Sequence, residues 1–277
     1  SSPATATAEK LRLLREAGVT RLSLGVQSFL EPEVEAVHRR QSQAQVQQAL
    51  SNIRAQQFEV VNIDLMVGLP GQTVASLRQS LQAALAWQPE EIYLYPLYVR
   101  PLTRLFREHA PGQDADLYRS GRDVLEEQGY EQVSLRMFRR RGGPGGSEYG
   151  DPLRPMLGLG CGARSYTHDL HYSTAYAVGS SGVGRILREY KQTQDFGQAH
   201  YGYWLDEEER RRRTAVLSLL SEQGLDLGAY PEFEPLLQAG EADQGRLTRL
   251  GRERADEIGP RFFSQRVQQA LRRGVRE

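Results

Sequence analysis

Three short apolar runs each carry, at or near their carboxyl end, a polar group able to hydrogen-bond a ligand: Gln27 after residues 21–26, Asp64 in residues 60–67 and Tyr98 in residues 92–99. In parallel α/β folds ligands collect at the carboxyl ends of strands, so an amide, a carboxylate and a phenol at these places point to a binding site. Each could equally cap the start of a loop. Gly68-Leu69-Pro70-Gly71 reads as a tight turn that brings backbone close to a ligand. Arg39-Arg40 reads by itself as a solvated helix face. Cys161 is the single thiol and reads as a small buried hydrophobe. His168 and His171, spaced i, i+3 beside the glycine-rich residues 158–165, could touch substrate or a metal; His38, His109 and His200 are scattered. Arg210 to Arg213 would suggest a nucleic-acid patch, but an acidic residue of 206–209 sits four positions before each arginine. That spacing predicts i, i+4 ion pairs, with Asp206 and Glu209 as a capping-box pair.

The elements that must position these groups follow from periodicity. Thr7 can cap a helix carrying Leu11, Leu13, Leu14 and Ala17 on one face, ended by Gly18. Residues 34–55 read mostly as helix, and Thr73 can cap another with Leu77, Leu81, Leu85 and Trp87 inward. Three strands at 21–26, 60–67 and 92–99, each bridged by a helix, make a βαβ repeat and a parallel sheet. Pro96 marks a break in the third ladder. A helix over 116–128, a strand over 132–138, an Arg/Gly-rich mobile loop over 139–150 and a helix over 183–190 follow. The texture changes near Gly202, where a domain boundary is expected.

With 277 residues, 39% hydrophobic and 25% charged, the chain can bury a core. No run approaches the ~20 apolar residues of a membrane span. Thirty-five basic and 35 acidic residues balance, which gives no sign of a nucleic-acid partner. One cysteine excludes an intramolecular disulfide and suits a reducing cytoplasm.

Residues 21–29 (RLSLGVQSF) resemble the fourth-strand motif of the oxygen-independent coproporphyrinogen III oxidase branch of radical S-adenosylmethionine (SAM) proteins. Residues 64–73 (DLMVGLPGQT) are similar to its fifth-strand motif, Leu94-Tyr95 with Pro101 and Thr103 to its sixth-strand segment, and residues 158–166 to its later G-x-G-x-x-A-x-S-Y signature. The motifs stand in family order and cover nearly the whole chain. The resemblance implies an α/β fold: the carboxy-terminal half of a partial (β/α)6 barrel over 1–105, a family-specific α/β region over 106–202, and a small winged-helix-like domain over 203–277, its wing and next helix near 248–259.

The resemblance also implies roles. Gln27 and Asp64 would hydrogen-bond SAM near its ribose, and Arg39 would fork onto the SAM carboxylate. Tyr98 and Arg164 would contact the adenine or sulfonium region, largely through backbone. Arg164 stands where heme-chaperone-like relatives carry a histidine. The family's C-x-x-x-C-x-x-C motif, which ligates a [4Fe–4S] cluster, is absent, and a fragment lacking the first three βα units is expected, its complete parent carrying the motif upstream. In that parent, reductive cleavage of SAM, fed by a flavodoxin or ferredoxin, would lead to hydrogen abstraction and oxidative decarboxylation of a tetrapyrrole propionate. The chain alone would be inactive. A heme-binding chaperone, a radical methyltransferase and an inactive remnant remain alternatives. With Cys161 as its only thiol, the chain mixed with iron and sulfide should give no stable [4Fe–4S] absorbance after gel filtration; a stoichiometric brown monomer contradicts this.

Overall fold

The structure, a computed structural model, describes residues 1–99, 114–144, 155–175, 180–198, 201–220 and 224–274. Pro101, Thr103, His109, His200 and residues 145–150 of the Arg/Gly-rich stretch lie outside them. The chain divides into two compact units, 1–145 and 146–277. The boundary expected near Gly202 therefore falls inside the second unit, where Gly202 is paired in a strand with Tyr172.

In the first unit, helix α1 (Ala8–Glu16) leads to β1 (Arg21–Gln27), short α2 (Glu31–Ala36), α3 (Gln43–Ala55), β2 (Val60–Val67), α4 (Val74–Leu85) and β3 (Glu91–Pro96). Helix α5 (Asp114–Glu127) and a hairpin of β4 (Tyr130–Gln132) and β5 (Met137–Arg140) complete it. The caps follow side-chain chemistry: Thr7, Ser42 and Thr73 each accept an amide N–H from the first helical turn. The helix expected over 34–55 is two helices. His38 at φ 60° breaks it, and the Ser42–Gln45 capping box starts α3 afresh. The strand expected over 132–138 is likewise two strands, and Arg139 and Arg140, expected in a loop, belong to β5. In α1 only Leu11 is buried; Leu13 and Leu14 are exposed.

The sheet runs β1-β2-β3-β5-β4, parallel through β1, β2 and β3 and antiparallel beyond. Alternation gives it two unlike faces. Leu22, Leu24, Val26, Val61, Ile63, Leu65, Val67, Ile92 and Leu94 share one parity and are all buried. The other face carries Arg21, Ser23, Gly25, Asn62, Asp64, Glu91 and Tyr93, aligned in rows by the register Ser23–Asn62–Glu91 and Gly25–Asp64–Tyr93. Half a barrel would leave Leu22 and Leu24 bare on the unpaired edge of its first strand. They are 7% and 0% exposed, because their parity faces away from the polar side. At the outer edge of β1, the Gly25 amide donates to the Ser1 carbonyl at 2.9 Å.

The second unit holds an antiparallel sheet of β6 (Arg164–Tyr166), β7 (Leu170–Ser173) and β8 (Tyr201–Trp204) with α6 (Ser180–Gln192) and α7 (Glu207–Leu219). Short α8 (Glu234–Gln238), the hairpin β9 (Ala242–Asp243) and β10 (Arg246–Leu247), and α9 (Arg249–Glu253), α10 (Ala255–Arg261) and α11 (Gln265–Gly274) follow. Among the described residues no helix is long and apolar enough to cross a membrane.

Leu24→Ala should cost about 2–5 kcal/mol, as for a fully buried leucine, because β1 packs its apolar face as a core strand. Urea denaturation checks this, and a loss below about 1 kcal/mol contradicts it.

Candidate functional site

The carboxyl end of β1 and the adjoining part of β2 bring three of the expected residues together. Gln27 closes β1 through a register irregularity after Gly25, with φ at 71°, a conformation rare for a side chain larger than glycine. It is buried, and its Oε1 has no hydrogen-bond partner. Gly25 makes this possible: a Cβ there would lie 2.8 Å from the Gln27 amide nitrogen. A strained backbone holding a buried, unsatisfied carbonyl costs free energy that packing alone does not explain.

Asp64 lies within β2, beside Gly25 and Tyr93, and not at the strand end. Ser23 Oγ donates to its carboxylate at 3.0 Å and Asn62 Nδ2 at 2.5 Å. Burial pushes the Asp64 carboxyl above its ordinary 3.8, while the bonds from Asn62 and Ser23 pull it back. Ser23 and Asn62 were not singled out in the sequence. The signal was the parity of residues 60–67, where Asn62 and Asp64 interrupt an otherwise apolar strand on one side only.

Arg39 lies in the break between α2 and α3 rather than on a helix. Its Nη1 approaches the Gly25 carbonyl at 3.5 Å. Partial burial lowers its pKa, and the Asp64 charge acts the other way, so the two groups sense each other. By solvent exposure Arg39 and its neighbour Arg40 are alike, but Arg40 takes no part in this contact. Tyr98 lies past the end of β3 at Pro96, half exposed, its hydroxyl accepting from Arg136 Nη2 at 3.1 Å.

A buried clamp joins the two loops that frame these groups. Ser28 Oγ donates to Glu33 Oε2 at 2.6 Å, and Gln72 Nε2 reaches the same oxygen at 3.2 Å. Gln72 also accepts from the Gly68 amide at 2.8 Å and donates to the Met66 carbonyl at 3.1 Å. Gly68 and Gly71 take φ of 85° and 80°, the left-handed turn their sequence predicts.

In the second unit, Arg164 opens β6. A cavity of about 740 Å³ lies against the other face of this sheet, lined by Leu159, Cys161, Tyr172, Ile186, Tyr190 and Phe196 among others. Cys161 is half-buried there rather than in the core. His168 pairs with Asp169 at 2.7 Å, and His171 stacks on Tyr166, so the two histidines do not converge. Among the described residues no group of three His, Cys, Asp or Glu could hold a metal. Only one of the expected i, i+4 pairs at residues 206–213 forms, Glu208 with Arg212 at 2.7 Å. Asp206 caps α7 by accepting the Glu209 amide, but the Glu209 carboxylate accepts from Ser264 instead of closing a capping box.

The first unit is an α/β fold with polar groups gathered beside a glycine-rich turn, and residues 1–84 match the Radical SAM superfamily. The chain is 36% identical over 150 residues to the heme chaperone HemW of Bacillus subtilis, covering 51% of this chain and 40% of that protein. It is 26% identical to the oxygen-independent coproporphyrinogen III oxidase of Pseudomonas aeruginosa, covering 87% of this chain and 58% of that one. The fold is that of the Escherichia coli coproporphyrinogen III oxidase HemN, described as a radical SAM enzyme, with a TM-score of 0.75 at 22% identity over 94% of this chain and 68% of that one. The chain is thus similar to the radical SAM superfamily over residues 1–84 and, at lower identity over most of its length, to coproporphyrinogen III oxidases. It spans about two fifths of the first of these relatives.

Because the folded Asp64 carboxyl is raised, its contribution to stability is present below 3.8 and is lost as the pH rises through the folded value. Asp64→Asn removes that titration. The variant's stability relative to the unmodified protein should therefore climb as the pH rises above 3.8, then level off once Asp64 is ionised. Urea midpoints of both proteins from about pH 3.5 to about pH 7.5 check this; a difference independent of pH contradicts it.

Proposed function

We propose that the ends of β1 and β2 hold S-adenosylmethionine in a complete protein that acts on a tetrapyrrole. Gln27 carries the reading: a buried carbonyl without a partner, kept in a strained turn over Gly25, is suited to accept a hydrogen bond from a ribose hydroxyl. Asp64 offers the lone pairs that Ser23 and Asn62 leave free, and it accepts from the same sugar. Arg39, held beside Gly25, forks onto the cofactor's carboxylate. Tyr98, beyond β3, meets the adenine or sulfonium region through its backbone. The residues present therefore fit SAM.

They do not fit a [4Fe–4S] cluster, since three thiolates are needed and the sequence holds one cysteine. Bound SAM supplies radical hydrogen abstraction in this superfamily; the chain's own part is to bind, orient and shield it. The similarity to coproporphyrinogen III oxidases supports oxidative decarboxylation of a propionate side chain in the complete protein, served by a flavodoxin or ferredoxin. A second reading, heme carriage without oxidation, is favoured by the higher identity to heme chaperones.

Calorimetric titration of the complete protein with SAM, without oxygen, tests the site. Asp64→Asn should weaken SAM about ten- to a hundred-fold, since a hydrogen bond to a charged group contributes about 1.5–3 kcal/mol. Arg39→Lys should weaken it as well and Arg40→Lys should not. Equal affinity in Asp64→Asn reduces Asp64 to a strand residue, and a larger loss at Arg40 than at Arg39 reverses their roles. Mixing the complete protein with heme separates the two readings: a stable heme band without conversion of coproporphyrinogen III supports carriage.

A further inference from the structure

In the second unit Arg164, His171 and Arg213 lie within reach of one another, and none of them makes an ion pair with a carboxylate among the described residues. In the pairing of β6 with β7, Arg164 lies opposite Ser173 and Tyr166 opposite His171, so these four share one face. Ser165, Leu170 and Tyr172 have the other parity and line the cavity. Tyr166 and His171 stack with ring centroids 4.2 Å apart. From α7, the Arg213 guanidinium sits over the Tyr166 ring at 5.2 Å.

The other members of the arginine run all have acidic partners. Arg210 pairs with Asp169 at 2.6 Å, Arg211 with Glu232 at 2.6 Å and Arg212 with Glu208 at 2.7 Å. Arg213 has the Tyr166 ring instead and is partly buried. Arg164 is exposed and makes no ion pair among the described residues. Two acids lie close by and both are engaged: Asp169 is held by Arg210 and His168, and Glu209, which interacts with Tyr203, accepts from Ser264. Burial, then the like charges of Arg164 and Arg213, lower the His171 pKa, which places all three bases within electrostatic reach of one another. Like charges drawn together without a counter-ion repel, and an anion placed among them removes that cost.

We infer that Arg164, His171 and Arg213 form an oxyanion site for a carboxylate of a small ligand whose flat body lies against the neighbouring tyrosines. Two guanidinium groups can fork onto a carboxylate, as lysine cannot. Tyr201 and Tyr203 extend the aromatic surface, paired beside Ser173 and His171. A packing role for Arg213, fastening α7 to the sheet through Tyr166, accounts for Arg213 but not for exposed Arg164, which makes no ion pair among the described residues. The inference deepens the tetrapyrrole reading by giving the propionates a receptor, and it rests on that reading for the choice of probe.

The complete protein is titrated with coproporphyrin III, which carries four carboxylates, and with its tetramethyl ester, followed by fluorescence. The acid should bind at least about ten-fold more tightly than the ester, and Arg164→Gln and Arg213→Gln should each remove about ten-fold of that preference. Arg164→Gln is the decisive variant because its exposed side chain supports no packing, and Arg164→Lys should restore only part of the loss. A parallel measurement follows the His171 ring resonance by NMR while inorganic phosphate is added. A shift in the unmodified protein that disappears in Arg164→Gln supports the oxyanion site even where neither porphyrin binds, and then it is the tetrapyrrole reading that fails. Unchanged acid-over-ester preference in Arg164→Gln, or no His171 response to phosphate together with no porphyrin binding, overturns the inference.

Discussion

The parallel register that sets Gly25 against Asp64 governs the first unit, because it brings the polar parity of two strands onto one side of the sheet. Ser23 can then donate to Asp64 across the strands while Asn62 donates along its own strand. A slip of one residue would turn Leu24 and Ile63 onto the polar face and bury the carboxylate among the helices. Gly25 lies beneath Gln27, where a Cβ would crowd the side-chain amide in its present position.

Strain and unsatisfied polarity coincide at Gln27, and Glu33 Oε1 and Asn62 Oδ1 nearby are also buried without a partner among the described residues. Gln27 holds a positive φ and an unpartnered oxygen, whereas a few residues away Glu33, Ser28, Ser80 and Gln72 form a buried network that ties the loop after β1 to the loop after β2. The Phe29 and Leu30 amides are satisfied within it by Ser80 and Ser28. Buried polar groups joined in this way hold loops in one arrangement, which is what a residue kept off its preferred backbone geometry needs. In the second unit the sheet of β6, β7 and β8 also separates two chemistries, an apolar cavity on one face and unbalanced cations among aromatic rings on the other.

Much of the fold was legible where one local rule dominates. Residues 60–67 form the strand their apolar run predicts, and Thr7 and Thr73 cap the helices that follow them. Where two rules competed, the linear pattern failed. Residues 34–55 keep a helical period throughout, yet His38 takes the left-handed conformation and the Ser42 box restarts the helix, so Arg39 is set in a turn. The arginines at 210–213 had acids at helical spacing, but three of those four arginines took other partners, because residues distant in sequence lay nearer once the chain folded.

The sequence by itself determined the candidates: the glutamine, the carboxylate and the arginine in their motifs, the glycines able to turn left-handed, and the lone thiol that cannot build a cluster. Tertiary structure decided their relations. Which groups hold Asp64 depends on strands far apart in the chain coming into register, and Arg164 shares a face with His171 only once β6 pairs with β7. Side-chain alternation is local and can be read along the chain, but pairing is settled by the burial of Leu24, Ile63, Leu94 and their neighbours against one another, a cooperative choice that no single segment encodes.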